Sequence, residues 1–301
     1  MITLNEITLD KKNLLEKYMT ACPNISSEFS FTNLFMWAKG YGMQYAVIED
    51  MLCIFLKHGN NPRNAVFPIG CTECRTPDKI KSVINQLMDF YKENNEPFIL
   101  RLYDETTLNI LKNVFPNKFS ITSDRDNFEY VYNIEELISL SGKKYHAKKN
   151  HINKFKTLYP NFEYCSLTSK DAPECLALFD RWQSDKQTEN NENRVAVCRL
   201  FDNWDAFSIK GGGIRVDGKI IAFSIGEALT DNSVIIHLEH ADTDYTGAFP
   251  MINQQFLEHQ WKDFSLVNRE EDMGIEGLRK AKQSYRPHHR VEKWRARYLG
   301  E

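Results

Sequence analysis

No apolar run in this 301-residue chain approaches the ~18 residues that a membrane-spanning helix needs. The first residues, MITLNEITLDKKNLLEKYM, lack the charged, then apolar, then small order of a secretory signal, so the sequence predicts a cytoplasmic protein. Seven cysteines, an odd number and scattered, argue against a disulfide framework and fit a reducing compartment. Cys71 and Cys74 form a lone CxxC with no second pair at a suitable spacing, so no metal site is expected. Gly211-Gly212-Gly213 precedes a strand and opens no helix, so it reads as a hinge or bulge rather than a phosphate-binding loop. No Gly-x-Ser-x-Gly or other nucleophile signature occurs, which leaves covalent catalysis without support.

What is present suffices for buried cores: 42% of residues are hydrophobic and 12% aromatic. The net charge is −3, from 38 basic and 41 acidic residues. The positive charge is nevertheless sorted. Six lysines and no acid lie between Lys143 and Lys156, and eight Lys or Arg with one acid, Glu292, lie between Arg279 and Arg297. The remainder holds 24 basic residues against 40 acidic. A charge run is usually a solvated helix face. Here the first run has one sign and interleaves Tyr145, His146, Asn150 and His151, so it reads as a site for a polyanion: nucleic acid, phosphorylated cofactor or anionic headgroup. In the second run Arg279 and Lys282 share a helix face, and Tyr285 follows three residues on. Beside Arg269, the acids Glu270, Glu271 and Asp272 are placed to pair with them, which would position those basic groups as well as neutralise them.

Strand and helix patterns alternate through both halves. In the first, Leu9–Met19 reads as a helix, Gln44–Ile48 and Met51–Leu56 as a hairpin, and Thr76-Pro77 as the start of a helix reaching Asn94. Phe98–Leu102 and Phe128–Tyr132 read as strands around a helix at Thr106–Val114. In the second half, Ile134–Leu158 reads as one helix, and a helix follows Asp171. Gln183–Asn193 reads as a polar loop and Arg194–Phe207 as a helix. Gly213–Val216 and Lys219–Ile225 form a hairpin around Asp217-Gly218, and Ser233–Ala241 is a third strand. Ala248–Phe264 is a helix, Leu266–Asn268 a short strand and Gly274–Gln283 a helix.

That element order resembles the order of the GNAT acyltransferase fold. There the junction after the central strand binds a pyrophosphate at a helix start. Here the junction, Asp242-Thr243-Asp244-Tyr245-Thr246-Gly247-Ala248, has one glycine and two aspartates, and the Gln/Arg-x-x-Gly-x-Gly/Ala signature of coenzyme A binding is absent.

The run GKKYHAKKN from Gly142 to Asn150 resembles the helix of phosphatidylglycerol lysyltransferase C-terminal-like domains. So does NREEDMG from Asn268 to Gly274, continuing as GLRKAKQSY from Gly277 to Tyr285 and on to Pro287. The resemblance covers most of the chain. It implies an α/β (α+β) fold of two tandem acetyltransferase-like (GNAT) lobes, each a mixed twisted sheet flanked by helices, over 1–133 and 134–301. The second would carry the basic motifs. Fem-type aminoacyl ligases share this arrangement, and relatives of both kinds move an aminoacyl group from aminoacyl-tRNA to a lipid or peptidoglycan amine or hydroxyl. The lysyltransferases proper also carry a large membrane-spanning portion that this sequence lacks, so the acceptor stays open.

The implied activity is acyl transfer, with aminoacyl-tRNA or another phosphate-bearing donor and no permanently bound cofactor. Lys143, Tyr145, His146, Lys149, Asn150, Arg269, Arg279 and Lys282 are the expected donor-binding residues, and Glu271 and Asp272 would organise them. Glu239 would help remove the acceptor proton, Tyr285 would protonate the leaving oxygen, and a backbone N–H near His237 to His240 would meet the oxyanion. The alternatives are acyl transfer from a coenzyme A thioester and non-catalytic binding of tRNA or another anion. Peripheral contact with a membrane surface stays open.

Overall fold

The computed structural model describes residues 2–71, 73, 75–185 and 191–300. Cys74 of the CxxC pair and residues 186–190 of the expected polar loop lie outside the described residues. The chain divides into two compact units, Met1–Phe128 with Val291–Glu301, and Glu129–Arg290. The fold is mixed α/β, with two seven-stranded mixed sheets flanked by helices.

The first unit contains β1 (Asn5–Glu6), α1 (Lys12–Thr20), α2 (Phe31–Ala38), β2 (Gln44–Ile48), β3 (Met51–Leu56), β4 (Asn64–Val66), α3 (Pro77–Glu93), β5 (Ile99–Leu102), α4 (Glu105–Val114) and β6 (Phe119–Ser123). The β2–β3 hairpin turns at Glu49 and Asp50, both in the left-handed region. Thr76 caps α3 by accepting from the Lys79 N–H, and Pro77 sits in its first turn, where no amide hydrogen is needed. The stripe Ile80, Val83, Ile84, Leu87 and Phe90 is buried, as its spacing predicts.

The second unit runs β7 (Glu129–Asn133), α5 (Ile134–Ser139), α6 (His146–Leu158), β8 (Glu163–Leu167), α7 (Ala172–Asp185), α8 (Asn191–Asp202), β9 (Ile209–Val216), β10 (Lys219–Thr230), β11 (Ser233–Ala241), α9 (Ala248–Phe256), β12 (Leu266–Glu271), α10 (Glu276–Ser284) and β13 (His289–Val291). Its sheet order is β13-β7-β12-β11-β10-β9-β8. Strand β10 reads as an almost continuous apolar run because both faces are covered. Ala222 joins the core formed with α6 and α9, while Phe223 meets Phe201 and His240 on the opposite face.

A final strand, β14 (Trp294–Tyr298), belongs to the first sheet, where it pairs antiparallel with β5 and β6. This changes the meaning of the last basic residues. Lys293 is buried and donates to both carboxylate oxygens of Glu28, at 2.9 and 2.8 Å. Arg295 Nε donates to Asp124 at 2.8 Å. These charges are partners of acids in the first unit rather than members of a polyanion patch.

Two more expectations change. The single helix expected over Ile134–Leu158 is two. Leu140 takes a left-handed conformation (φ 44°) and Gly142 has φ 81°, so the helix stops, and α6 starts afresh at the lysine run. The three glycines Gly211 to Gly213 are neither hinge nor bulge but lie inside β9. A Cβ on Gly211 would stand 2.6 Å from Trp204, and one on Gly212 2.5 Å from Tyr164, so large side chains occupy the space on both faces.

Burial alone would raise the Glu28 carboxyl, but Lys293, then the Ser26 hydroxyl, then Arg101 hold it below the ordinary value. Lys293→Ala leaves that carboxylate without its counter-ion, and we expect a loss of about 3–5 kcal/mol in urea unfolding. A loss under about 1 kcal/mol would mean that the pair is solvated.

Candidate functional site

The site grows from one irregularity in the second sheet. β11 and β12 are parallel and pair only where Ser233, Val234 and Ile235 face Leu266, Val267 and Asn268. The ladder then ends. On its other side β12 shifts register against β7 between Asn268 and Glu271, with Glu270 at φ 54°. Backbone groups that leave a ladder need other partners. Asn268 Oδ1 accepts from the Glu270 N–H at 2.8 Å. Lys282 of α10 reaches back, and its ammonium donates to the carbonyls of Arg269, Glu270 and Glu271. Burial lowers its pKa even with Glu271 and Glu270 close by. Lys282 therefore holds the bulge of β12.

Beyond the parting, Arg269 of β12 reaches Glu239 of β11. Its Nη2 donates to Glu239 Oε1 at 2.7 Å, and Asn253 of α9 donates to Oε2 at 3.0 Å. The guanidinium lies over two rings, with its carbon 4.8 Å from the centre of Tyr285 and 5.5 Å from that of Tyr132. Burial works against its charge, and Glu239 more than offsets that, so Arg269 stays an ion. Its Nη1 is buried and has no hydrogen-bond acceptor among the described residues. Tyr285 is buried, and this pushes its phenol pKa far above the ordinary value, so the group is protonated at neutral pH.

One turn is fixed by Asp272, whose side chain has no exposed surface. It accepts from Arg279 Nε and Nη2 at 2.9 and 2.8 Å, from Tyr130 Oη at 2.6 Å and from the Gly274 N–H at 2.9 Å. The Arg279 fork is thus filled by Asp272, which anchors α10 to β7. Asp272 organises this corner, whereas Glu271 contributes its backbone carbonyl to Lys282.

The basic run has two faces. Lys143, His146 and Lys149, with Leu140 and Gly142, line an open groove of about 600 Å³ at the break between α5 and α6. Lys148 faces inward, in register with the buried Ile152 and Phe155, and its Nζ sits 3.8 Å above the centre of the Tyr285 ring. Sequence reasoning missed Lys148, and the signal was that register: a lysine extending an apolar stripe. Tyr145 does not face the groove. It is buried and donates to Glu136 at 2.9 Å, which places it in the framework of α5 and α6. Asn150 is exposed.

His237 and His240 point to opposite faces of β11, as strand alternation requires. His240 lies among Phe179, Trp182 and Phe223. His237 Nε2 is 3.2 Å from Glu227 and its Nδ1 3.4 Å from Glu270. Burial disfavours its charge, but the two carboxylates outweigh it and raise its pKa to about 9. Among the described residues no group of three or more His, Cys, Asp and Glu is placed to hold a metal ion, and no helix is long and apolar enough to cross a membrane.

Two measurements probe this framework. Asp272→Ala strands Arg279 and Tyr130, and the expected loss is about 2–4 kcal/mol, with about 1 kcal/mol for Tyr130→Phe. Equal small losses in denaturant unfolding would overturn the central role of Asp272. The raised pKa of His237 means that its stabilising contribution is complete below pH 6.5 and disappears as the pH rises through about 9. His237→Gln should therefore cost more stability at pH 6 than at pH 9.5, and a cost independent of pH would show that the imidazole is neutral.

A model of the family described as phosphatidylglycerol lysyltransferase, C-terminal, matches residues 21–297. Among curated proteins, an uncharacterised one from Mycoplasmoides gallisepticum is 23% identical over 172 residues, 55% of this chain and 54% of its own length, so the match spans about half of that relative. Among solved structures, a conserved protein of unknown function from Bacteroides thetaiotaomicron is 33% identical with a TM-score of 0.90, covering 99% of this chain and 100% of that one. L-PGS from Bacillus licheniformis is 13% identical with a TM-score of 0.66, covering 99% and 94% of the two chains. FemX is 7% identical with a TM-score of 0.66, covering 99% and 97%. The last two likenesses concern the fold, which is the tandem acetyltransferase-like arrangement. The match runs through nearly all the chain, and the protein belongs to the phosphatidylglycerol lysyltransferase C-terminal family.

Proposed function

We propose that this protein transfers an aminoacyl group from aminoacyl-tRNA to an amine or hydroxyl acceptor. The observation that carries the reading is the cluster of Arg269, Glu239 and Tyr285 at the parting of β11 and β12. Kinship supports it, since family and fold relate the chain to transferases that use aminoacyl-tRNA without a permanent cofactor.

The donor ester already stores the free energy of the reaction. The protein has to align the acceptor, stabilise the developing oxyanion and move one proton. The unpaired Nη1 of Arg269 can donate to that oxyanion in a water-poor setting, where such a contact is strong. Glu239 fixes the guanidinium, and with Arg269 and Asn253 on its two oxygens it serves better as a counter-ion than as a base. The protonated phenol of Tyr285 shapes the floor under Arg269. The groove of Lys143, His146 and Lys149 offers positive charge to the tRNA phosphates.

Coenzyme A fits less well. Its pyrophosphate would need the start of α9, but Gly247 there, at φ 90°, presses against α6, and a Cβ on it would stand 2.5 Å from the His151 carbonyl oxygen. Asp242 and Asp244 flank the same junction.

Transfer is tested with radiolabelled aminoacyl-tRNAs, using phosphatidylglycerol vesicles and ethanolamine as separate acceptors. Arg269→Lys should lower the rate by about 100- to 1,000-fold, because the planar fork is lost. The same variant should bind tRNA nearly as wild type does. Lys143→Ala and Lys149→Ala should each reduce the slope of log affinity against log salt by about 0.7–0.9. Stabilisation by acetyl-coenzyme A with no response to aminoacyl-tRNA would replace this reading with the thioester one.

A further inference from the structure

Lys148 differs in kind from the other charged groups around Tyr285 and the β12 bulge. Arg269 and Glu239 hold one another, Asp272 holds Arg279, Lys282 is spent on three carbonyls, and His237 lies between two carboxylates. Lys148 Nζ makes no hydrogen bond or ion pair among the described residues; it lies against the face of Tyr285. It is half-buried, so it lies within reach of a ligand. Its amine lies over the Tyr285 ring, and the charges that act on it are the Arg269 guanidinium of β12 and the Glu239 carboxylate of β11. The face of Tyr285 attracts the ammonium form, whereas partial loss of water and the like charge of Arg269 disfavour it, and among the described residues no anionic acceptor holds the proton on Nζ.

We propose that Lys148 is the proton acceptor of this site: its neutral amine removes a proton from the acceptor nucleophile as that nucleophile attacks the donor ester. This rests on the transfer reading above. The acceptor nitrogen or oxygen forms a bond to the ester carbonyl carbon, its proton passes to Lys148 Nζ, and the oxyanion is met by Arg269. Collapse breaks the carbon–oxygen bond to the tRNA ribose. The ammonium of Lys148 returns the proton to the departing ribose oxygen, so the amine is regenerated with nothing added or lost. Glu239 and Tyr285, the two groups the sequence suggested for proton transfer, then act as a counter-ion and a platform.

The electrostatics agree with the geometry. Burial lowers the Lys148 pKa, Arg269 lowers it further, and Glu239 only partly offsets the two, bringing it to about 8. A base with that pKa is part neutral at physiological pH and matched to the task. An ordinary lysine, near 10.4, is almost fully charged there.

The first arm needs no donor. Wild-type protein is reductively methylated with carbon-13 formaldehyde, and the Lys148 signal, assigned by its loss in Lys148→Met, is followed against pH. A midpoint within about one unit of 8 is expected, and a midpoint near 10.4 with the other lysines overturns the proposal. The second arm compares transfer by wild type, Lys148→Met and Lys148→Arg with the same labelled aminoacyl-tRNAs, after melting has shown that the variants fold. The wild-type rate should rise with pH to a plateau with the same midpoint. Both variants should lose about 100- to 10,000-fold in rate and the pH dependence with it, while tRNA affinity stays within about threefold. Lys148→Met should recover in part with added small amines, and a structural lysine would show no such rescue. Undiminished transfer by Lys148→Met overturns this assignment alone. No transfer by wild type to either acceptor removes the transfer reading and the assignment together.

Discussion

The second unit depends on how a strand behaves when its neighbour turns away. β12 has a ladder partner in β11 for three residues only, and past Asn268 its backbone would be left with unmet hydrogen-bonding capacity. Side chains meet it: Asn268 on one amide, Lys282 on three carbonyls and Asp272 on the Gly274 amide. Each of these groups lies in the segment from Asn268 to Lys282, so a single stretch of sequence both opens the wedge and holds it open. Arg269 could not reach Glu239 at 2.7 Å from a straight, fully paired strand.

This places the motif's charges in two classes. Asp272, Arg279 and Lys282 are held within the framework, and removing them is expected to cost stability. Arg269, through its buried Nη1, and Lys148, through its amine, keep hydrogen-bonding capacity that no group among the described residues meets. Unused capacity in a buried polar group such as Arg269 Nη1 is costly unless water or a ligand meets it, and the two groups share one tyrosine ring. The exposed lysines of α6 form a third class, suited to long-range attraction of a polyanion and not to chemistry.

Much of the fold is legible in the sequence because its causes are local. The α3 stripe, the Thr76-Pro77 start and the turns at Glu49-Asp50 and Asp217-Gly218 depend on residues close in the chain. The order of elements in the second half follows from the same signals, whereas the family resemblance rests on the motifs Gly142–Asn150 and Asn268–Pro287. The edges were less legible. Strands β6, β8 and β14 carry mixed patterns, and a short strand is defined by the partner it finds. Leu140 gives no local sign that it would adopt a left-handed conformation and end α5.

The sequence by itself determined that positive charge gathers in two segments and that the Asn268–Tyr285 motif is special. It could not say which of those charges are already spoken for. Lys293 satisfies an acid more than 260 residues away, and Tyr145 serves Glu136, because burial makes an unpaired charge or hydroxyl too costly to leave alone. Only the tertiary structure decided that Lys148, one lysine among six in its run, is half-buried over the Tyr285 ring with no hydrogen-bond partner among the described residues, since desolvation is a property of the place a side chain reaches and not of its neighbours in the chain.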